Sequence, residues 1–167
     1  GQEGNTFSSA LTLPFAGGAT TWAFSNSETL GNGAEIKSQK LDLTAPFKVN
    51  EGAAKAEFHS AFTTTNGVQQ KTRTAHLALP FRLFGKVASL DQVVYGEDKG
   101  AGLTETRTTR LLSPFDLAGK QFSAEGTFIS LRQVGGTITE TVAAKLTAPL
   151  AHGQATVLRQ TVNTRTP

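Results

Sequence analysis

The side chains able to do chemistry are few and scattered. His59, His76 and His152 are the three histidines, and none has a second histidine at a metal-ligand spacing. His76 directly precedes the Leu77-Ala78-Leu79 run and reads as a structural histidine. Cysteine is absent, which removes thiolate metal sites, thiol nucleophiles and disulfides together. The carboxylates, Asp42, Asp91, Asp98 and Asp116 with nine glutamates, do not cluster along the chain. A calcium loop needs alternating oxygen ligands followed by a glutamate, and the glycine-rich segment 96–102 lacks them. Gly85-Lys86 and Gly119-Lys120 look like pieces of a phosphate loop, but no Ser or Thr follows either lysine. There is no Gly-x-Ser-x-Gly elbow, and a triad drawn from distant Ser and His residues has no spacing behind it. The expectation is a protein that is not an enzyme and uses no cofactor and no metal.

Composition narrows the class further. The chain has 167 residues, 38% hydrophobic and 17% charged, against roughly 25% charged in an average globular chain, so Thr, Ser, Asn and Gln must carry the polar surface. A net charge of +3 is too small to point to nucleic acid or another polyanion. No run approaches the roughly 20 apolar residues of a membrane-spanning helix. The start at Gly1 and the lack of any Met read as a processed, exported protein that offers oxidants little to attack.

One pattern recurs. Leu11-Thr12-Leu13-Pro14-Phe15, Leu43-Thr44-Ala45-Pro46-Phe47, Leu77-Ala78-Leu79-Pro80-Phe81, Leu111-Leu112-Ser113-Pro114-Phe115 and Leu146-Thr147-Ala148-Pro149-Leu150 each place Leu three positions before Pro. Their prolines stand 32, 34, 34 and 35 residues apart and account for five of the six in the chain. Between them fall Gly31-Asn32-Gly33, Asn66-Gly67, Lys99-Gly100 with Gly102, and Gly135-Gly136, the residue types that supply positive φ in tight hairpins. Each unit of about 34 residues therefore reads as strand, tight turn, returning strand and Pro-Phe corner.

The elements that must carry these residues are strands. Phe7, Leu11, Leu13 and Phe15 alternate with Thr6, Ala10 and Thr12, and Leu77, Leu79 and Phe81 do the same, the period of two of a half-buried strand. Twenty-four Thr and 11 Phe favour pleated structure. Only 53–57 offers a helical turn, and the alternation after it argues against one. The expected fold is all-β: a single domain, residues 1–167, forming an antiparallel barrel or sandwich of about ten strands from five hairpin-like repeats. Its corners lie at Pro14, Pro46, Pro80, Pro114 and Pro149, where the Leu and Phe side chains should build the main core.

Toward the tight turns the strands become polar on both faces. Lys37, Lys71, Arg73 and Arg107 share the Leu side and are expected to pair with Glu35, Glu105 and Glu140 on neighbouring strands. Thr72, Thr74, Thr106, Thr108, Thr139 and Thr141 lie on the other side. Strands that change character halfway along argue against the continuous lipid-facing band of an outer-membrane barrel, so no membrane span is expected.

The first and last strands each lack a sequence neighbour, and unpaired edges invite pairing. The expected function is a non-catalytic, self-assembling subunit of an extracellular, pilus-like filament or of a virion shell. Its partners would be copies of itself through terminal strand exchange, with no strong nucleic-acid binding. Phe7, Leu11, Leu13, Phe15, Val157 and Val162 are the candidate interface residues. The alternative is a secreted β-barrel that binds a small molecule or glycan, with the unique Trp22 and Tyr95 as its contacts.

Overall fold

The computed structural model describes residues 3–15, 18–31, 34–49, 52–83 and 85–167. They form ten strands: β1 (Glu3–Phe15), β2 (Gly18–Gly31), β3 (Ala34–Val49), β4 (Gly52–Thr65), β5 (Val68–Leu83), β6 (Lys86–Asp98), β7 (Leu103–Leu117), β8 (Lys120–Arg132), β9 (Ile138–Leu150) and β10 (Gly153–Arg165). All ten lie in one sheet in sequence order, each antiparallel to the next. The expected all-β chain of about ten antiparallel strands is thus observed, as a single sheet rather than two facing layers. The 53–57 segment is strand, within β4.

Turn chemistry explains the hairpins. Asn66 and Gly67 have φ of 50° and 81°, and Ala118 and Gly119 have 51° and 72°. Positive φ at both central residues makes a primed turn, whose twist matches that of the flanking strands. Glycines at 100, 102, 135 and 136 also take positive φ in the turns where the sequence places them. Asn32 and Gly33 of the first expected turn lie outside the described residues.

The prolines sit inside strand ends rather than in the turns. Pro46, Pro80 and Pro114 each precede their strand's last residue by three positions, and Pro14 and Pro149 by one. Pairing with the preceding strand stops two residues short of the proline, at Thr44, Ala78, Leu112 and Thr147. Pairing with the following strand runs through it, as in Pro46↔Lys55 and Pro80↔Ser89. A residue without an N–H cannot extend a ladder, so one ladder ends and the hairpin ladder persists.

Register also sets the slope of the strands. The row of pairs through Leu43, three residues before Pro46, continues through Phe58, Ala75, Val94, Arg107, Ser130 and Glu140. Ala75, Arg107 and Glu140 stand five, seven and nine residues before their own prolines. Six residues of drift across six strand spacings is about 20 Å against about 29 Å, so the strands lean about 35° from the perpendicular to the proline line.

The expected core does not form. Among the described residues the buried hydrophobics are Ala54 and Ala88, and no large side chain is fully buried. Most leucines and phenylalanines do share one face, with Leu112, Leu131 and Leu158 on the other, but no second layer covers it.

Candidate functional site

Residues paired across an antiparallel ladder project to the same face, so the register divides the sheet into two surfaces. One carries Leu41, Leu43, Ala45, Phe47 and Val49 on β3, and Ala75, Leu77, Leu79, Phe81 and Leu83 on β5. Val142, Ala144, Leu146, Ala148 and Leu150 follow on β9. Each set covers nine residues ending at the proline end of its strand. Eight steps are about 27 Å along the strand, or about 22 Å once the lean is included. Gln92 and Ser113 interrupt the band, and Lys86 and Lys120 stand at its rim beside the turns. On β10 it stops at Val157, where Arg159 follows.

Beyond the band the same face is charged. Lys37 Nζ lies 2.7 Å from Glu35 and 3.4 Å from Glu28. The hydrogen bond and charge of Lys37 hold the Glu35 carboxyl below its ordinary value, and Glu35, then Glu28, raise Lys37. Arg107 reaches Glu105 at 2.7 Å and Arg73 approaches it at 3.8 Å, while Glu140 pairs with Arg165. The pairing expected between neighbouring strands is met only in part: Lys37 and Arg107 hold Glu35 and Glu105 along their own strands, Arg73 approaches Glu105 from two strands away, Glu140 pairs with Arg165, and among the described residues Lys71 makes no ion pair.

The opposite face is rich in Thr and Ser and carries a belt of ionisable groups. Asp42, His76, Arg110 and Lys145 each stand four residues before a proline, so they occupy one level on β3, β5, β7 and β9. The strands between them contribute Glu57, Asp91 and Glu125. Asp42 meets His59 Nδ1 at 2.6 Å. His76 Nδ1 is 3.1 Å from Glu57, which also holds Lys55 at 2.6 Å, and His76 Nε2 is 2.9 Å from Asp91. Arg110 Nε donates to Glu125 at 2.7 Å. A neutral imidazole has one N–H and can serve one carboxylate; the imidazolium serves both.

The belt was hidden in the sequence because its successive members lie 15 to 20 residues apart. The signal that finds it is the fixed offset from the repeated proline. His76 is indeed held by partners, as a structural histidine should be, but it belongs to this chain of charges. No group of three or more His, Asp or Glu able to hold a metal occurs among the described residues, and the belt's carboxylates are each tied to a cation or His instead.

The residues singled out from sequence are only partly brought together. Phe7, Leu11, Leu13 and Val157 lie on the apolar face at the two edges of the sheet, Val162 lies on the polar face, and Phe15 ends β1. Trp22, in register with Leu11 and Leu43, is on the apolar face, whereas Tyr95, in register with Thr74 and Thr106, is on the polar one. They do not meet in one site.

No protein family matches the sequence, and no curated protein does. Solved structures that resemble the fold include two porins. A KdgM porin in complex with disordered oligogalacturonate is 13% identical, with 96% of this chain and 86% of that chain covered and a TM-score of 0.36. A KdgM porin is 9% identical, with 96% and 91% covered and a TM-score of 0.39. The filament or shell subunit expected above is withdrawn, with its self-pairing and its extracellular or virion location, because the sheet presents a broad exposed apolar face that pairing of its terminal strands does not cover. Strand exchange at β1 and β10 would act only at the two edges and leave the face bare across the strands between. The expected lack of a membrane span is withdrawn too, since the register joins the apolar halves of successive strands into one band.

Proposed function

We propose that this chain forms the wall of a membrane-embedded antiparallel β-barrel, with the apolar face toward lipid and the Thr-rich face lining a polar passage. One observation carries the reading. The apolar band follows the prolines rather than the hydrogen-bond rows, and its height of about 22 Å is close to the roughly 25 Å lipid-facing belt of such barrels. A lean of about 35° falls at the low end of the tilt these strands adopt. Ten is an even number, so β1 and β10 run antiparallel and their edges are of the right sense to close on each other.

The glycan or small-molecule alternative moves into this frame: polar solutes would meet hydroxyls and the charged belt on the inner face, without catalysis. The reading predicts that the refolded protein inserts into phospholipid vesicles and makes them permeable to small polar solutes. A protein that stays in the aqueous fraction, fully open to protease, would refute it.

A further inference from the structure

On the apolar face, immediately beyond the band, the ridge of basic residues is concentrated on β5, β7 and β8. Arg73 is followed on this face by Ala75 and Leu77, so cation and apolar surface adjoin. Arg73, Gly96, Glu105 and Arg132 form one cross-strand row. Glu105, 17% exposed, is approached by Arg107 at 2.7 Å and by Arg73 at 3.8 Å, and Arg132 stands opposite it in register. The Arg73 side chain lies over Gly96, where an added Cβ would come within 3.0 Å of its Nε. Two guanidinium groups thus converge on one carboxylate, and a third stands on the neighbouring strand. Lys71 stands opposite Asp98, whose carboxylate instead accepts the Gly100 N–H at 2.8 Å. Among the described residues neither Lys71 nor Arg132 makes an ion pair. Four cations against two carboxylates leave an excess of two positive charges on exposed side chains.

Resting on the membrane reading above, we infer that Lys71, Arg73, Arg107 and Arg132 form a binding site for the phosphate of an anionic phospholipid headgroup. Three facts favour that occupant. The cluster borders the lipid-facing band on the same face, where headgroups lie. Its charge is uncompensated, and the planar guanidinium fork matches phosphate oxygens. The depth also suits, because the acyl chains of a lipid held there would run down beside Ala75, Leu77 and Leu111.

The test is insertion of the refolded chain into vesicles of phosphatidylcholine alone and of phosphatidylcholine mixed with phosphatidylglycerol, read as the vesicle concentration that gives half insertion. A cation near an anionic surface is worth about five-fold in binding, so the two uncompensated charges should lower the half-point in the mixed vesicles by about 25-fold. The double variant K71Q/R132Q touches no ion pair and should lose most of that preference while still entering phosphatidylcholine. E105Q should strengthen it. An equal preference in wild type and double variant overturns the proposal and leaves the membrane reading standing. Equal loss of the preference in sodium phosphate and in chloride of matched ionic strength also overturns it, since diffuse charge attraction and not a phosphate site would then be at work. Failure to enter either vesicle overturns the membrane reading and this site together.

Discussion

The ring of Pro46 occupies the space that a side chain at Gly18 would need: a Cβ there would stand 2.7 Å from the proline Cγ. The same relationship joins Gly52 and Pro80 at 2.5 Å. Each glycine opens a strand, two strands' width from the proline's own hairpin partner, at the place where the proline ends a ladder. The two chains thus run close together where the ladder between them has ended.

Gly18→Ala and Gly52→Ala should therefore each destabilise the sheet by about 1–3 kcal/mol through overpacking against a rigid ring. Gly126, with nothing within 4 Å of its added Cβ and no positive φ, is the control. Gly126→Ala should stay within about 0.5 kcal/mol of wild type. Urea titration of the folded protein in micelles distinguishes the two outcomes.

Ala118 takes φ of 51° in the β7–β8 turn, beside Gly119, where Asn66 takes 50° beside Gly67 in the β4–β5 turn. Alanine gains nothing in that conformation, while Asn tolerates it. Ala118→Asn should raise stability by about 0.5–1 kcal/mol. The stacked pair Phe115 and Phe122, 5.5 Å apart, closes the same hairpin, and Phe122→Ala should cancel that gain and more.

His76 holds Glu57 and Asp91 on neighbouring strands. His76→Leu removes a partner from both carboxylates and should cost about 1–2 kcal/mol. Lys145→Gln, at the same level but with no ion pair among the described residues, should leave the urea midpoint unchanged. The two variants measured together separate a cross-strand tie from mere position in the belt.

Glu35 and Lys37 give a pH dependence of defined sign. The Glu35 carboxyl is lowered in the folded sheet, so the pair's contribution is complete above its ordinary pKa of 4.5 and fades as pH falls through the lower folded value. Lys37 is raised, so the contribution is complete below 10.5 and fades as pH rises through the higher folded value. The stability difference between wild type and Glu35→Gln should be flat from about pH 5 to 10 and shrink on either side. Denaturation midpoints across that range read it directly.

Strands and turns were legible in the sequence because their causes are local: alternation at Leu77, Leu79 and Phe81, and a dipeptide such as Asn66-Gly67 that prefers positive φ. The band was not legible, because it exists only once Leu43, Ala75 and Leu111 are placed beside one another by register and slope. Counted strand by strand, Lys71 and Arg73 looked like breaks in a lipid face; seen across the sheet, they lie beyond its border. The core expected from the same leucines failed for a related reason: periodicity reports that a face is apolar, not what covers it. The belt through Asp42, His76, Arg110 and Lys145 was written at a constant offset from Pro, yet its acidic partners reach it only through pairing.

Trp22 is the sole tryptophan, 47% exposed, on the apolar face between Leu11 and Leu43, so its fluorescence reports what covers that face. In vesicles of phospholipid brominated along the acyl chains, its emission should be blue-shifted and strongly quenched relative to unbrominated vesicles. Emission at the wavelength of water-exposed indole, unquenched by the brominated chains, would contradict a lipid-facing band.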